Sequence, residues 1–349
     1  MQIKRKFSSV LFLLCTLILS ACSNLAVNNT NSSNIDLSKN PSDSEHKIIN
    51  TYADKLISSY NVTFKNDILA DNNKSMSLWE HAVYEMNFKP PKHTVNLKAV
   101  DYIKKHKKLL TQQLSNGHLF LYHIINELKI RDMPLELAII PIIESNFNPH
   151  AVSYAGAKGM WQFTKGTARR FKLHSDTNYD LRSDPLASTD AALNYFSYLY
   201  SMFNDWNLAI AAYNVGEGTV LNAIKRNKAK GLPTDLWNLK IPRSGIEYVE
   251  KLYAYTYMLR NAEQNDLKFP NMPYKPVFKK IALKGQNLNE ISAKTGVPAE
   301  RLLKLNPGFK NTKVRTSKTP FVLIPINNYD LPQYYTLNVV SNKNLAKSN

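Results

Sequence analysis

Glu144 is the side chain of this chain best placed for acid–base chemistry. It closes a segment, Leu135 to Ile143, that is apolar at every position except Glu136 and Pro141. Ser145 follows, and then a loop of mostly small residues runs through Ser153, Gly156 and Gly159 to Met160, Trp161 and Gln162. A carboxyl group at the edge of an apolar segment loses hydration, which raises its pKa and keeps it protonated near neutrality. Such an acid can protonate the departing oxygen of a sugar–sugar bond. Most glycosidases complete that reaction with a second carboxylate as nucleophile or base. A surface carboxylate at a helix end is the plain alternative for Glu144, and only its context argues against that.

Asp180, Asp184, Asp190 and Glu217 are the nearest claimants to the second role, and each has a simpler reading. Asp184 stands before Pro185 as an N-cap before proline at the first helical position. Asp180 and Arg182 form a loop pair, Asp190 faces solvent on its helix, and Glu217 follows a glycine turn. The eight histidines show no His-Glu-x-x-His or clustered spacing, and no glycine-rich phosphate loop is present. The expectation is therefore chemistry without metal or cofactor.

These groups need helices to hold them. Residues 48–129 read as helical, with Leu78-Trp79, Val95 to Leu110, and Leu121, Ile124, Ile125 and Leu128 at one-face spacing. Leu135 to Ile143 predicts a buried helix kinked at Pro141. Ala192, Tyr195, Phe196, Leu199 and Phe203 keep helical spacing behind Asp184, and a helix around Leu208 to Tyr213 is stopped by Gly216 and Gly218. Ser244 and Glu247 form a capping-box pattern before a helix over Ile246 to Arg260. Residues 130–265 are therefore expected to form a domain, all or nearly all α, around the candidate acid. Pro270, Pro273 and Pro276 mark a linker, and residues 277–326 read as strand, helix, helix, strand. A polar tail occupies residues 327–349.

Glu144-Ser145, Gly159-Met160-Trp161-Gln162 and Ala212-Tyr213-Asn214, in this order and spacing, resemble the catalytic domain of lytic murein transglycosylases, and the Trp before the Gln resembles its membrane-bound members. The resemblance spans about Leu78 to Pro325. It implies a mainly α, goose-lysozyme-like fold. It also implies that Glu144 is the lone catalytic acid/base, cutting between N-acetylmuramic acid and N-acetylglucosamine without water. The muramoyl C6 hydroxyl is then the nucleophile, so no second carboxylate is required. Ser153 matches a serine near that hydroxyl, Gln162 a cleft-lining amide, and Tyr248 a tyrosine that hydrogen-bonds the catalytic Glu. Ser145 is either a supporting residue or a helix-end cap. Tyr213 and Asn214 match the Ala-Tyr-Asn signature, with a core aromatic as the other reading of Tyr213. On spacing alone Tyr248 passes as core, with Leu252, Tyr255 and Leu259. Met160 is expected to line a sugar subsite and Trp161 mainly to pack.

Residues 278–326 resemble a LysM domain, a small βααβ fold that binds N-acetylglucosamine chains. The matches are Gly285, Leu288, Ile291, Gly296-Val297, Leu305-Asn306-Pro307 and Val322-Leu323-Ile324-Pro325. Gln286-Asn287 and Thr316-Ser317-Lys318-Thr319 depart from the pattern, and both lie in the binding loops. The unit either keeps glycan binding or only packs on the catalytic domain.

The first 21 residues read as a signal peptide. Lys4-Arg5-Lys6 precedes a short apolar run, Val10 to Leu19, and Leu19-Ser20-Ala21-Cys22 resembles the lipobox of bacterial lipoproteins. That predicts lipid on Cys22, with Ser23 directing the protein to the periplasmic face of the outer membrane. A signal peptide cut after Ala21, with Cys22 incidental, is the alternative. Residues 22–47, rich in Asn and Ser, form a tether. The net charge of +18 draws the chain to polyanions. Nucleic acid is the common partner of such a charge. The envelope address replaces it with peptidoglycan glycan strands and with the membrane reached through the lipid. Two rival functions stand beside the leading one: a lysozyme-like muramidase that positions a water, and a wall-binding scaffold without turnover.

Overall fold

The computed structural model describes residues 76–88 and 97–326. The signal segment, Cys22, the tether and residues 327–349 lie outside the described residues. Helix α1 (Leu78–Glu85) starts with a capping box, in which Ser77 Oγ accepts from Glu80 N at 3.3 Å and Glu80 Oε2 accepts from Ser77 N at 2.5 Å. Trp79 is fully buried and donates its indole N–H to Leu114 O at 2.9 Å, fastening α1 to α3 (Lys107–Asn116). Helix α2 (Leu97–Lys105) precedes α3, with the break at His106. In α4 (Leu121–Ile130) the four residues with one-face spacing are all buried, which makes α4 a central support of the core.

The apolar segment before Glu144 is not one kinked helix. A 3₁₀ turn, Leu135–Ile139, passes directly into α5 (Ile140–Ser145). Pro141 sits in the first turn of α5, where its missing N–H removes no helical bond, so it starts the helix instead of bending it. Leu135 through Ile142 are buried without exception, Glu136 included. Glu136 accepts from Phe88 N at 2.6 Å, and burial raises its pKa.

Helix α6 (Lys165–Arg170) follows the small-residue loop, and α7 (Pro185–Phe203) is capped as expected by Asp184, whose Oδ1 accepts from Leu186 N and Ala187 N. Helix α8 (Trp206–Val215) ends at Gly216, φ +84°. The glycines there do not open a loop, because α9 (Glu217–Lys228) starts at once. Gly218 is the second residue of that helix. The last helix of the core, α10 (Arg243–Arg260), starts three residues before its expected position and lacks the expected capping box. Pro242 sets the start, so Ser244 already lies inside the first turn, and Glu247 turns to the Arg243 guanidinium at 3.1 Å.

The C-terminal part shows the expected βααβ order: β1 (Phe278–Ala282), α11 (Leu288–Thr295), α12 (Ala299–Leu305) and β2 (Phe321–Pro325). The strands pair antiparallel, Phe278 opposite Pro325 and Ala282 opposite Phe321. Asn306 joins helix to strand: its amide donates to Leu302 O and Leu323 O, and its Oδ1 accepts from Leu323 N at 2.7 Å. The unit's small core contains Leu288, Ile291, Leu302, Phe309, Val322 and Ile324, and Tyr179 from the helical part completes it. The Tyr179 ring meets Phe309 edge-on at 4.9 Å, and its hydroxyl donates to Asp184 Oδ2 at 2.5 Å. Gly308 lies against that ring, and a Cβ there would fall 2.4 Å from the phenol carbon. Gly308→Ala is therefore expected to cost about 1–3 kcal/mol as an overpacked contact. Chemical denaturation measures it, and an unchanged midpoint would mean the seam is loose.

Candidate active site

The last turn of α5 presents Glu144 half-buried at its C-terminal end. Burial raises its pKa to about 7, opposed by a hydrogen bond from Tyr248 and by the charge of Lys251. Tyr248 on α10 donates its hydroxyl to Glu144 Oε1 at 2.5 Å. The Glu144 charge raises the pKa of both Tyr248 and Tyr213, after burial as the larger cause, so both phenols stay neutral donors. Lys251, one turn after Tyr248, is held below its ordinary pKa by burial while Glu144 pulls it back up.

A second set of bonds fixes the exit from α5. Asn146 and Phe147 adopt left-handed backbone, φ +55° and +60°, and Phe147 is fully buried against Trp79. Asn146 Oδ1 accepts from Gln113 Nε2 at 2.7 Å, and Gln113 Oε1 accepts from the Tyr255 hydroxyl at 3.1 Å. One helix, α10, therefore holds the chain on both sides of Ser145: at Glu144 through Tyr248, and at Asn146 through Tyr255 and Gln113. Ser145 Oγ donates to Met160 O at 2.9 Å and Pro141 O at 3.3 Å, which ties the loop to α5.

The loop is a tight, self-bonded structure. Lys158 and Phe163 exchange both backbone hydrogen bonds at 3.0 Å, and Gly159 N donates to Ala151 O at 3.0 Å. Ser153 Oγ accepts from Ala157 N at 3.0 Å. Gln162, at φ +50°, donates its amide to Gly159 O at 2.8 Å and to Ala151 O at 3.3 Å, so its nitrogen braces the loop. Trp161 is fully buried and donates to Thr189 Oγ1 at 3.0 Å, as packing predicts. Met160, expected to line the cleft, is fully buried too. The Ser145 bond pulls its backbone inward, and its side chain joins the core. Tyr213 donates to Trp161 O at 2.7 Å and stacks on Phe196 at 4.5 Å, combining core packing with a hydroxyl spent on the loop. Asn214 beside it is exposed.

The other carboxylates are occupied. Glu217 accepts from Tyr195 and pairs with Arg170. Asp180 pairs with Arg182, Asp184 caps α7, and Asp190 pairs with Arg131 at 61% exposure. Among the described residues no group of three or more His, Cys, Asp or Glu side chains converges, and no helix is long and apolar enough to cross a membrane. Lys251, Gln113 and Asn146 escaped the sequence reading, which placed Tyr255 only in the core. Tyr248, Lys251 and Tyr255 stand at i, i+3 and i+7, so the face of α10 that carries Tyr248 could have flagged the other two.

Residues 122–234 match the family model described as the Transglycosylase SLT domain. The chain is 38% identical over 213 residues to membrane-bound lytic murein transglycosylase D of Escherichia coli (strain K12), covering 60% of this chain and 47% of that protein. A protein of Alteromonas sp. (strain M-1) named for tributyltin chloride resistance is 48% identical over 115 residues, 33% of this chain and 56% of its own. The chain thus spans about half the length of these curated relatives. Among solved structures, the 70 kDa soluble lytic transglycosylase of Escherichia coli matches with a TM-score of 0.35 and 22% identity, covering 47% of this chain and 30% of that one.

Proposed function

We propose that this chain, which carries a transglycosylase SLT domain, is a peptidoglycan lytic transglycosylase acting at the bacterial cell envelope. The observation that carries the reading is the isolation of Glu144. Its pKa lies near 7, and the groups that tune it are a tyrosine and a lysine, not a carboxylate. A single protonated carboxyl group fits a reaction in which the substrate supplies its own nucleophile. Glu144 gives its proton to the oxygen between N-acetylmuramic acid and N-acetylglucosamine, and the C1–O bond breaks. As a carboxylate it then accepts the proton of the muramoyl C6 hydroxyl, whose oxygen bonds to C1. The product ends in a 1,6-anhydro ring, and no water is consumed. An internal hydroxyl held in line avoids the entropy cost of recruiting a second molecule, a benefit of up to roughly 7–11 kcal/mol.

In this reading Tyr248 keeps the Glu144 carboxyl aimed, and Lys251 stabilises the transient carboxylate. Ser145 and Tyr213 hold the loop through backbone carbonyls. Ser153, the Gln162 carbonyl and Asn214 remain to meet the sugar. Residues 278–326 serve as a LysM-like glycan contact, and Cys22 as the lipid anchor on the periplasmic face of the outer membrane.

Peptidoglycan digested with the purified protein should yield termini one water lighter than the hydrolysed sugar by mass spectrometry. Reducing ends of ordinary mass would replace this reading with a muramidase, and no products with retained binding would replace it with a scaffold. Glu144 must start protonated, so kcat/KM should fall as pH rises through about 7. Tyr248→Phe removes a hydrogen bond that lowers the Glu144 pKa. The alkaline limb should then move to higher pH while the maximal rate falls by about tenfold. A rate loss without movement of that limb would make Tyr248 a packing residue only.

A further inference from the structure

We propose that Lys158 and Lys310, gathered with Arg182 round Asp180, form a carboxylate-binding subsite that takes the stem-peptide carboxylates of a peptidoglycan strand; this rests on the reading of the chain as a peptidoglycan lyase. One oxygen, Asp180 Oδ2, faces three cations: Lys158 Nζ at 3.0 Å, Arg182 Nη2 at 3.0 Å and Lys310 Nζ at 3.9 Å. Asp180 is already matched by Arg182, which also donates its backbone N–H and Nε to Oδ1 at 3.0 and 3.2 Å. The remaining guanidinium nitrogen, Nη1, is directed to Gly156 O at 3.3 Å. Lys158 and Lys310 are left to share a carboxylate that is spent on another partner.

The surroundings do not cancel the excess. Asp176 adds a second carboxylate, and it feels the charges of both Lys318 and Lys310. His150 lies within the field of Lys158, and both burial and that field favour its neutral form. Among these described groups, the cations Lys158, Arg182, Lys310 and Lys318 stand against the carboxylates of Asp180 and Asp176. Burial first, and then repulsion from Lys158 and Arg182, hold the Lys310 ammonium below the ordinary lysine pKa, against the opposite pull of Asp180. An incoming carboxylate relieves that repulsion and gains two charge-assisted hydrogen bonds. The site is reachable, because the Lys310 side chain is 38% exposed and that of Lys158 19%.

Position relates the cluster to the reaction. Lys158 belongs to the loop that carries Ser153 and Gln162, and it directly follows Ala157, whose N–H is bound by Ser153 Oγ. Lys310 comes from the βααβ unit and is fixed by its backbone bond to Asn178 O at 3.0 Å. A strand held at Ser153 and Gln162 would thus touch the same loop that carries Lys158. The muramoyl sugar bears the stem peptide, so the subsite would separate peptide-bearing strands from bare ones.

Lys310→Met tests this with two readouts. The first is affinity of the Glu144→Gln protein, with and without Lys310→Met, for soluble strands bearing peptides and for the same strands stripped by an amidase. The second is turnover of the Glu144-containing proteins on both substrates. Removing Lys310 should weaken binding and kcat/KM by about 3–5-fold on peptide-bearing strands only, the scale of a partly exposed ion pair. Lys310→Arg should restore both, and high salt should abolish the preference. Equal losses on both substrates, or no loss on either, overturn the subsite. If the protein with native residues at both positions gives no anhydro termini from either substrate, the lyase reading fails, and the affinity comparison still decides whether the cluster binds carboxylates.

Discussion

Replacing Glu144 by Gln is expected to reduce turnover of peptidoglycan by roughly 10²–10⁴-fold, the range for loss of a positioned general acid/base. The amide keeps the shape and can still accept the Tyr248 hydroxyl, so the fold and strand binding should survive. It cannot give a proton to the leaving oxygen or take one from the C6 hydroxyl, so both halves of the reaction fail together. The same change should make the protein more stable at alkaline pH. Glu144 has a folded pKa of about 7 against an ordinary 4.5, so the folded state binds its proton more tightly than the unfolded state. Its contribution to stability is therefore full below pH 4.5, declines between the two values and is a net cost above pH 7. The upper bound from the shift is about 3 kcal/mol, and half-burial reduces it, so Glu144→Gln should gain about 1–3 kcal/mol at pH 8 and almost nothing at pH 4. Anhydro-product formation and thermal unfolding at both pH values measure the two effects. Turnover retained within threefold would remove Glu144 from the chemistry, and a Tm gain independent of pH would contradict the raised pKa.

Gly159→Ala is expected to have the largest structural effect. Gly159 sits at φ +87°, and a Cβ there would lie 1.8 Å from the backbone oxygen of Arg182. Neither partner is the flexible end of a side chain, so the loop would have to leave α7's approach segment. Left-handed strain and overpacking together amount to roughly 2–6 kcal/mol. At about 2–4 °C per kcal/mol for a chain of this order of size, Tm should fall by about 5–20 °C. Activity should fall further than the folded fraction, because Ser153 and Gln162 are held by this loop. A variant with native Tm and native turnover would mean that the contact between Gly159 and Arg182 is absent in solution.

How much of this was legible in the sequence depended on whether the cause was local. Asp184-Pro185 named its helix start because both residues act within one turn. The four apolar residues of α4 named their buried face because a 3.6-residue period is a property of one helix. Gly216 was read correctly as a helix end, but the helix that starts at once beyond it was not foreseen, since nothing in a glycine says whether a helix resumes. Pro141 was misread because its effect depends on where the helix starts. Tertiary packing set that start by drawing Leu135 to Ile139 into a 3₁₀ turn. The site divided in the same way. Glu144 could be found from its neighbours in sequence, and Tyr248 only through resemblance, 104 residues away. The brace from Tyr255 through Gln113 to Asn146 joins three distant segments by hydrogen bonds, and no spacing rule reaches across them.

The phenol of Tyr179 has a consequence for how this protein comes apart. Its ring is a structural member of the βααβ core, and its hydroxyl rests on the carboxylate that caps α7. Loosening the terminal unit would strip the cover from an aromatic ring and leave Asp184 with a partner free to swing away. Melting the start of α7 would in turn withdraw a wall from the terminal unit. Neither part has a private weak point at this seam, so calorimetry should record one heat-absorption peak for both. A pedigree of two modules would then survive only as history, with the chain unfolding as a single body.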